Sequence, residues 1–184
     1  MSTRALVPLA EGFEEIEALT VVDVLRRGGV EVVAAALDGT PSVRGAHGVT
    51  VMSDAPFAEA EKGDFNAVVL PGGPGTPNLA NSGLLLERLR RQKAEGRLIA
   101  AICAAPTVLV AAGVLDPEQH VTCYPTCVLE LDRPCAGVPV VADGNVITGQ
   151  APGAATLFAL VVLQALEGEL VARKVARGMV TDVL

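Results

Sequence analysis

Cys103 is the residue whose position points most directly to chemistry, because an apolar run ends there and a helix-compatible segment begins. Residues 98–102 are apolar, and the small residues Ala101 and Ala105 flank the cysteine. A strand that turns sharply into a helix presents its corner residue above the sheet edge, as in a nucleophile elbow. The positive end of the helix dipole favours a thiolate there. The pattern predicts a nucleophile, although cysteine is also common as a small buried residue.

Three acidic residues follow the first predicted strand, so their side chains would lie at the same sheet edge as Cys103. They are Glu14, Glu15 and Glu17. The helix macrodipole favours acidic residues in a first turn, which accounts for Glu14 and Glu15. Glu17 has apolar neighbours, and its pKa would rise if it faced the crevice. A protonated Glu17 would donate a hydrogen bond to a Cys103 thiolate and later transfer a proton.

A glycine-rich segment, residues 71–75, follows another buried strand. It lacks the Gly-Lys-Ser/Thr ending of a phosphate-binding loop and fails the dinucleotide-binding spacing at the third glycine. Two interpretations stay open. The segment is either a tight strand-to-helix turn, or a loop in which Gly73 lets backbone N–H groups form an oxyanion hole with the Cys103 turn.

A metal site is the other chemistry that the residue types suggest. The candidate ligands are His120, Cys123, Cys127 and Cys135. Their spacing matches no common zinc framework well, so we expect neither a metal nor another cofactor. The spacing also places neither His47 nor His120 beside Cys103, and the sequence therefore assigns no Cys–His dyad.

Buried strands alternate with helices along the chain, which predicts one α/β domain over residues 1–184. Its sheet is mainly parallel, with helices on both faces. The crevice of such a sheet lies beyond the carboxyl ends of its strands, where residues 10–14, 71–77 and 103–106 fall. Predicted strands cover residues 5–9, 30–37, 67–70, 98–102, 138–142 and 146–148, an irregular strand or hairpin covers 43–52, and predicted helices cover 14–27, 81–94, 105–112, 152–166 and 169–180.

Composition and charge narrow the class of protein. The 184 residues are 51% hydrophobic, 19% charged and 3% aromatic, with a net charge of −7. The high hydrophobic content argues against a disordered chain. The low aromatic content argues against a base-stacking surface, and the negative charge argues against nucleic acid or an anionic membrane as a partner. No stretch is long and apolar enough to span a membrane, and residues 1–4 lead into a strand and not into a signal peptide. We therefore expect a cytoplasmic location with reduced thiols.

These segments together resemble the ThiJ/PfpI superfamily, and in particular its parkinsonism-associated protein deglycase and YajL-like branch. The resemblance covers nearly the full length and is carried, in order, by residues 4–7, 12–17, 21–29, 68–73 and 99–107. It implies a flavodoxin-like three-layer α/β sandwich that forms a homodimer. It also implies that Cys103 is a reactive nucleophile, easily oxidised to a sulfinic acid, and that Glu17 hydrogen-bonds to it. Gly72 and Gly73 would form a loop near the thiolate, where Gly73 and Ala104 offer backbone N–H groups.

The same resemblance implies two functional classes. The first is a glutathione-independent enzyme that acts on α-oxoaldehydes such as methylglyoxal or repairs glycated proteins, with Cys103 attacking the aldehyde and Glu17 moving protons. The alternative is a redox sensor or redox-regulated chaperone in oxidative-stress protection, through oxidation of Cys103 to a sulfinate. The implied partners are a small aldehyde or a glycated protein, and a second copy of the chain.

Tyr124 and Pro125 stand where many members of the superfamily carry His-Pro after the elbow helix. The YajL-like branch also lacks this histidine. A general base built from it is therefore absent, which argues against a third function, an amidotransferase-type or protease-type hydrolase. We expect Glu14, Tyr124 and Pro125 to line the site.

Overall fold

The computed structural model describes residues 2–183 and has a three-layer α/β architecture. Its strands are β1 (Arg4–Leu9), β2 (Glu31–Ala36), β3 (Ser42–Arg44), β4 (Thr50–Met52), β5 (Ala55–Pro56), β6 (Ala67–Leu70), β7 (Leu98–Ile102), β8 (Val140–Asp143) and β9 (Val146–Gly149). Its α-helices are α1 (Glu15–Arg27), α2 (Phe57–Ala60), α3 (Thr76–Ala80), α4 (Gly83–Ala94), α5 (Pro106–Ala112), α6 (Val128–Leu131), α7 (Ala155–Glu167) and α8 (Glu169–Gly178). Short 3-10 helices cover Pro125–Cys127 and Pro152–Ala154.

The main sheet has the strand order β5-β2-β1-β6-β7-β9-β8. Strand β8 runs antiparallel to β9, and the other neighbouring pairs are parallel. Strands β3 and β4 form a separate antiparallel hairpin. The chain leaves β1 toward β2 on one side and returns to β6 on the other, so the order switches between β1 and β6. Ligands of open α/β sheets bind at the carboxyl ends of strands beside such a switch.

Strand β1 shows why the sheet is covered on both faces. Ala5, Val7 and Leu9 pack in one core with α1 and α7, and Leu6 packs in a second core with α4 and α5. A strand buried on both faces needs a continuous apolar run and not an alternating one. The predicted α/β class, mainly parallel sheet and three layers are confirmed.

Most predicted elements are present with shifted ends. Residues 43–52 form the β3–β4 hairpin, and β8 begins at Val140, two residues after its predicted start. Helix α4 begins at Gly83 because the side chain of Ser82 caps the N–H of Leu85 at 3.3 Å. The predicted helix over 152–166 opens as a 3-10 turn and becomes α-helical at Ala155.

Four short elements, β5, α2, α3 and α6, were not predicted. Each has two to five residues, which is too few for a hydrophobic period to be visible. Pro77 in the first turn of α3 is a recognised helix-start signal and could have located that helix. Among residues 2–183, every helix is too short or too polar to cross a bilayer.

Candidate functional site

Cys103 occupies the turn between β7 and α5 in a conformation that few side-chain-bearing residues adopt. Its φ is 64°, in the left-handed region, which costs roughly 1 kcal/mol or more. Two backbone hydrogen bonds hold the turn: Cys103 N–H donates to the Gly149 carbonyl at 2.9 Å, and Tyr124 N–H donates to the Cys103 carbonyl at 2.8 Å. The side chain is 7% exposed. The predicted strand–cysteine–helix corner is therefore present, and its strain is maintained by β9 and by the segment after α5.

Glu17 lies on α1 and is fully buried. Its Oε2 accepts a hydrogen bond of 2.8 Å from the N–H of Gly72. Within residues 2–183, no hydrogen bond of standard geometry reaches Oε1, but the Cys103 thiol is near enough to shift the pKa of Glu17. Burial raises that pKa to about 7; the hydrogen bond from Gly72 and the nearby Cys103 thiol oppose the rise, and the charge of Glu14 adds to it.

The Cys103 thiol itself is harder to ionise than the sequence suggested. Burial and the negative charge of Glu17 raise its pKa to about 12, although the backbone N–H groups of Ala104 and Gly73 lower it. The expected thiolate, stabilised by the helix N-terminus, is thus corrected: α5 begins only at Pro106, and burial beside a carboxylate outweighs the dipole. A second negative charge is opposed in this pair, so the two protons leave in separate steps, and the first leaves near neutral pH.

The loop after β6 brings Gly72 and Gly73 against the cysteine. A Cβ at Gly72 would lie 2.9 Å from the Cβ of Cys103 and 3.0 Å from the backbone nitrogen of Ala104. Gly73 has φ 97°, and its N–H and that of Ala104 lie near enough to the Cys103 sulfur to lower the pKa of the thiol. Gly72, by contrast, directs its N–H to Glu17. Gly73 and Ala104 therefore offer the donors that were predicted, and Gly72 positions the acid.

Glu14 and Glu15 do more than complement the helix dipole. Glu14 Oε2 caps α1 by accepting the Glu17 N–H at 2.8 Å, and its own N–H donates to the Gly72 carbonyl at 3.0 Å. Glu15 accepts hydrogen bonds from His47, through its N–H at 2.6 Å and through Nδ1 at 2.7 Å. The spacing of Glu14 and Glu17 resembles a capping pattern and could have revealed the first contact. No local sequence pattern indicates the contact between Glu15 and His47.

Two groups of potential metal ligands can be located in the structure. Ligand atoms of Glu14, Glu15 and His47 lie within 4.8 Å of one another, but the hydrogen bonds just described already account for that cluster. Of the four residues weighed as zinc ligands from the sequence, Cys123 and Cys135 have sulfur atoms 3.7 Å apart, whereas exposed His120 lies beside Asp143. The residues considered from sequence do not converge on one metal centre in the part of the chain described.

Tyr124 and Pro125 are exposed and lie in the segment after α5 that contacts the Cys103 turn. Tyr124 reaches Cys103 through its backbone N–H, and Pro125 begins the 3-10 helix that follows. Across residues 2–183, neither His47 nor His120 hydrogen-bonds to Cys103. The titratable side chain that lies near the sulfur is Glu17.

The nearby surface is hollow on the β1–β2 side of the sheet edge. A cavity of about 410 Å³ lies there, lined by residues that include Glu11, Asp38 and Asn78. Cys103 does not line it.

Comparisons with known proteins agree with this fold. Residues 3–165 match the DJ-1/PfpI family. The chain is 42% identical to Protein dj-1beta of Drosophila melanogaster over 183 residues, covering 97% of each protein. It is 38% identical to the glutathione-independent glyoxalase DJR-1.2 of Caenorhabditis elegans, covering 91% of this chain and 89% of that protein. The crystal structure of Drosophila melanogaster DJ-1beta superposes with a TM-score of 0.94 at 40% identity, covering 99% of this chain and 100% of that one. The chain therefore belongs to the DJ-1/PfpI family.

Proposed function

We propose that this protein is a cysteine-dependent stress-response enzyme that converts reactive α-oxoaldehydes to hydroxy acids without glutathione. One observation carries the proposal: the buried Glu17 carboxyl and the N–H groups of Gly73 and Ala104 all converge on the strained Cys103. The name of the Caenorhabditis elegans relative, a glutathione-independent glyoxalase, supports this reaction class.

The first step forms a bond between the Cys103 sulfur and the aldehyde carbon. The thiol proton passes to Glu17 as the sulfur attacks, so the pair avoids a second negative charge. The backbone N–H groups of Gly73 and Ala104 then stabilise the negative charge that develops on the aldehyde oxygen. Protonation of that oxygen gives a hemithioacetal. A carboxyl with a pKa of about 7 can both accept and donate a proton at neutral pH.

The second step moves hydrogen from one carbon to the next. Glu17 removes the proton from the former aldehyde carbon, giving an enediolate, and returns it to the neighbouring carbon. The hydroxyl proton of the hemithioacetal passes to the former ketone oxygen, and the product is a thioester. Water hydrolyses the thioester, which releases the hydroxy acid and restores the thiol. The aldehyde carbon is oxidised and the ketone carbon is reduced, so methylglyoxal and water yield lactate without an external oxidant.

Methylglyoxal loss and lactate formation test this mechanism in the unmodified protein, Cys103→Ser and Glu17→Gln. We expect Cys103→Ser to fall to background and Glu17→Gln to lose on the order of a hundredfold in rate. Cys127→Ser is a matched control, because this half-buried thiol lies outside the site, and it should retain activity. Equal rates in all four proteins would reject the enzymatic proposal. Release of the sugar-derived group from glycated peptides, measured with the same four proteins, tests whether the activity extends to protein repair.

The alternative function, a redox sensor or redox-regulated chaperone, is favoured by the same N–H donors. Hydrogen peroxide would oxidise Cys103 first to a sulfenic and then to a sulfinic acid, releasing one water at each step. Gly73, Ala104 and protonated Glu17 would hold the sulfinate oxygens. Mass spectrometry after mild peroxide should show oxygen added to Cys103 before any other cysteine, and less of this product in Glu17→Gln. Earlier oxygen addition at Cys123, Cys127 or Cys135 would contradict the sensor.

We also propose a homodimer, which is supported by exposed apolar side chains on α1. Ile16 is 56% exposed and Leu19 is 38% exposed, and clustered apolar surface of this kind favours association. Sedimentation should show a dimer that Ile16→Glu dissociates. Leu84→Glu, on α4 in the opposite layer, is the control and should leave the dimer intact. An unmodified protein that sediments as a monomer would contradict the proposal.

A further inference from the structure

Cys123 and Cys135 bring two free thiols together outside the proposed reaction. Their sulfur atoms lie 3.7 Å apart. We propose that these residues form a second redox site, a dithiol that hydrogen peroxide converts reversibly to a disulfide. The proposal is independent of aldehyde turnover, because no step of that chemistry uses either thiol.

The geometry of the two segments favours the cross-link. A disulfide places its sulfur atoms about 2.05 Å apart, a distance that side-chain rotation can reach from van der Waals contact. The backbone is already joined there: Ala136 N–H donates to the Val121 carbonyl at 2.8 Å, and Val121 N–H donates to the Pro134 carbonyl at 3.3 Å. These bonds form an isolated parallel bridge between Val121 and Cys135. The two segments that carry the thiols are therefore already held side by side.

The two thiols differ in solvent exposure, and this difference determines which of them reacts first with peroxide. Cys135 is half-buried, and Cys123 is 2% exposed. Peroxide therefore reacts first with Cys135: a sulfur–oxygen bond forms, the oxygen–oxygen bond breaks, and a sulfenic acid and one water result. The Cys123 sulfur then attacks the Cys135 sulfur and displaces hydroxide, which takes the Cys123 thiol proton and leaves as a second water. Two thiols lose two electrons, and one peroxide is reduced.

The new site is connected to the nucleophile turn through the backbone. Cys123 precedes Tyr124, whose N–H holds the Cys103 carbonyl at 2.8 Å. On its other side, Thr122 N–H donates to Thr148 Oγ1 on β9 at 2.8 Å. A disulfide to Cys135 would cross-link the segment that fastens the Cys103 turn.

The test uses the whole protein carrying Cys103→Ser, so that Cys103 oxidation does not interfere. We expect equimolar hydrogen peroxide to remove the mass of two hydrogen atoms, and peptide mapping to find Cys123 joined to Cys135. Dithiothreitol should restore both thiols. The same product should form when Cys127→Ser is added, and that second variant shows that Cys127 is not the partner.

Single removal of either partner completes the test. With Cys103→Ser in place, adding Cys123→Ser should leave Cys135 to gain oxygen or an intermolecular partner, with no internal cross-link. A cross-link to Cys127, or oxygen gained by Cys123 and Cys135 while both are present, would overturn the proposal. Neither result bears on aldehyde turnover, since Cys103→Ser has already removed that nucleophile.

Discussion

Glu17 Oε2 accepts a hydrogen bond of 2.8 Å from the backbone N–H of Gly72, which ties α1 to the loop after β6. The same glycine lies against Cys103, since a Cβ added to it would approach the cysteine Cβ to 2.9 Å. Glu17, the loop and Cys103 are thus one packed unit. Because Oε2 is engaged by Gly72, the mechanism proposed above requires Oε1 to exchange the proton with the sulfur.

Gly72→Ala tests this packing. The new methyl group would meet the Cys103 Cβ, the Ile102 carbonyl oxygen and the Ala104 nitrogen, at 2.9 to 3.0 Å. These are not flexible side-chain ends, so relief requires a shift of the nucleophile turn. We expect a loss of about 1–3 kcal/mol in the free energy of unfolding and a slower alkylation of Cys103, by on the order of tenfold or more. Urea denaturation and iodoacetamide kinetics measure the two effects.

Gly83→Ala is the matched control for that substitution. Gly83 opens α4, and a Cβ there would meet no atom within 4 Å. Alanine is the better helix former, so the control should be neutral or more stable by up to about 1 kcal/mol. If both variants were equally stable and equally reactive, close contact at Gly72 would not be what positions Cys103.

Glu17→Gln should change how stability depends on pH. Burial raises the pKa of Glu17 from 4.5 to about 7, so the folded state binds this proton more tightly than the unfolded state. The resulting stabilisation is complete below pH 4.5 and is lost as the pH rises through about 7. The loss amounts to about 3 kcal/mol, and Glu17→Gln should remove it. Free energies of unfolding measured from pH 4 to pH 8 give the difference in slope.

Glu118→Gln controls for the removal of a carboxylate, because Glu118 is exposed. Its stability should follow the unmodified protein across the whole pH range. A Glu17→Gln curve parallel to both would show that the folded state does not retain the Glu17 proton.

The arrangement of the site could be predicted from sequence where it depends on local patterns. Apolar runs located β1, β6 and β7, and parallel strands bring their carboxyl ends together, so Glu17, Gly73 and Cys103 were expected at one edge. The burial of Glu17 and its raised pKa also agree with expectation. These features follow from strand length, glycine position and apolar neighbours.

The remaining features depend on contacts between distant segments. The carbonyl of Gly149 and the N–H of Tyr124 fix the Cys103 turn, and no hydrophobic period encodes such pairings. The predicted ease of ionising Cys103 was wrong because burial and the charge of Glu17 raise the pKa of the thiol by more than the helix dipole lowers it. The size of this rise in the Cys103 pKa depends on the distance between the Cys103 and Glu17 side chains, and only the folded structure gives that distance.

The Glu15–His47 contact predicts a histidine that titrates above its ordinary range. The hydrogen bond and the charge of Glu15 raise the pKa of His47 above 6.5. We expect the NMR titration of the His47 ring to show this elevation, and Glu15→Gln to lower the pKa toward 6.5. Since the chain has two histidines, His47→Gln assigns the signals. An unchanged His47 titration in Glu15→Gln would show that the contact is not kept in solution.

The backbone strain at Cys103 predicts an inverted effect of glycine. Alanine at this position keeps a Cβ in the left-handed region, where φ is 64°, whereas glycine adopts that conformation without steric cost. We expect Cys103→Gly to be more stable than Cys103→Ala by about 1 kcal/mol, measured by urea denaturation. Ala101→Gly, within β7, is the control: at an ordinary strand position, glycine should lower the free energy of unfolding by about 1 kcal/mol. If Cys103→Gly were instead the less stable of the two variants, the left-handed backbone at residue 103 would not be strained.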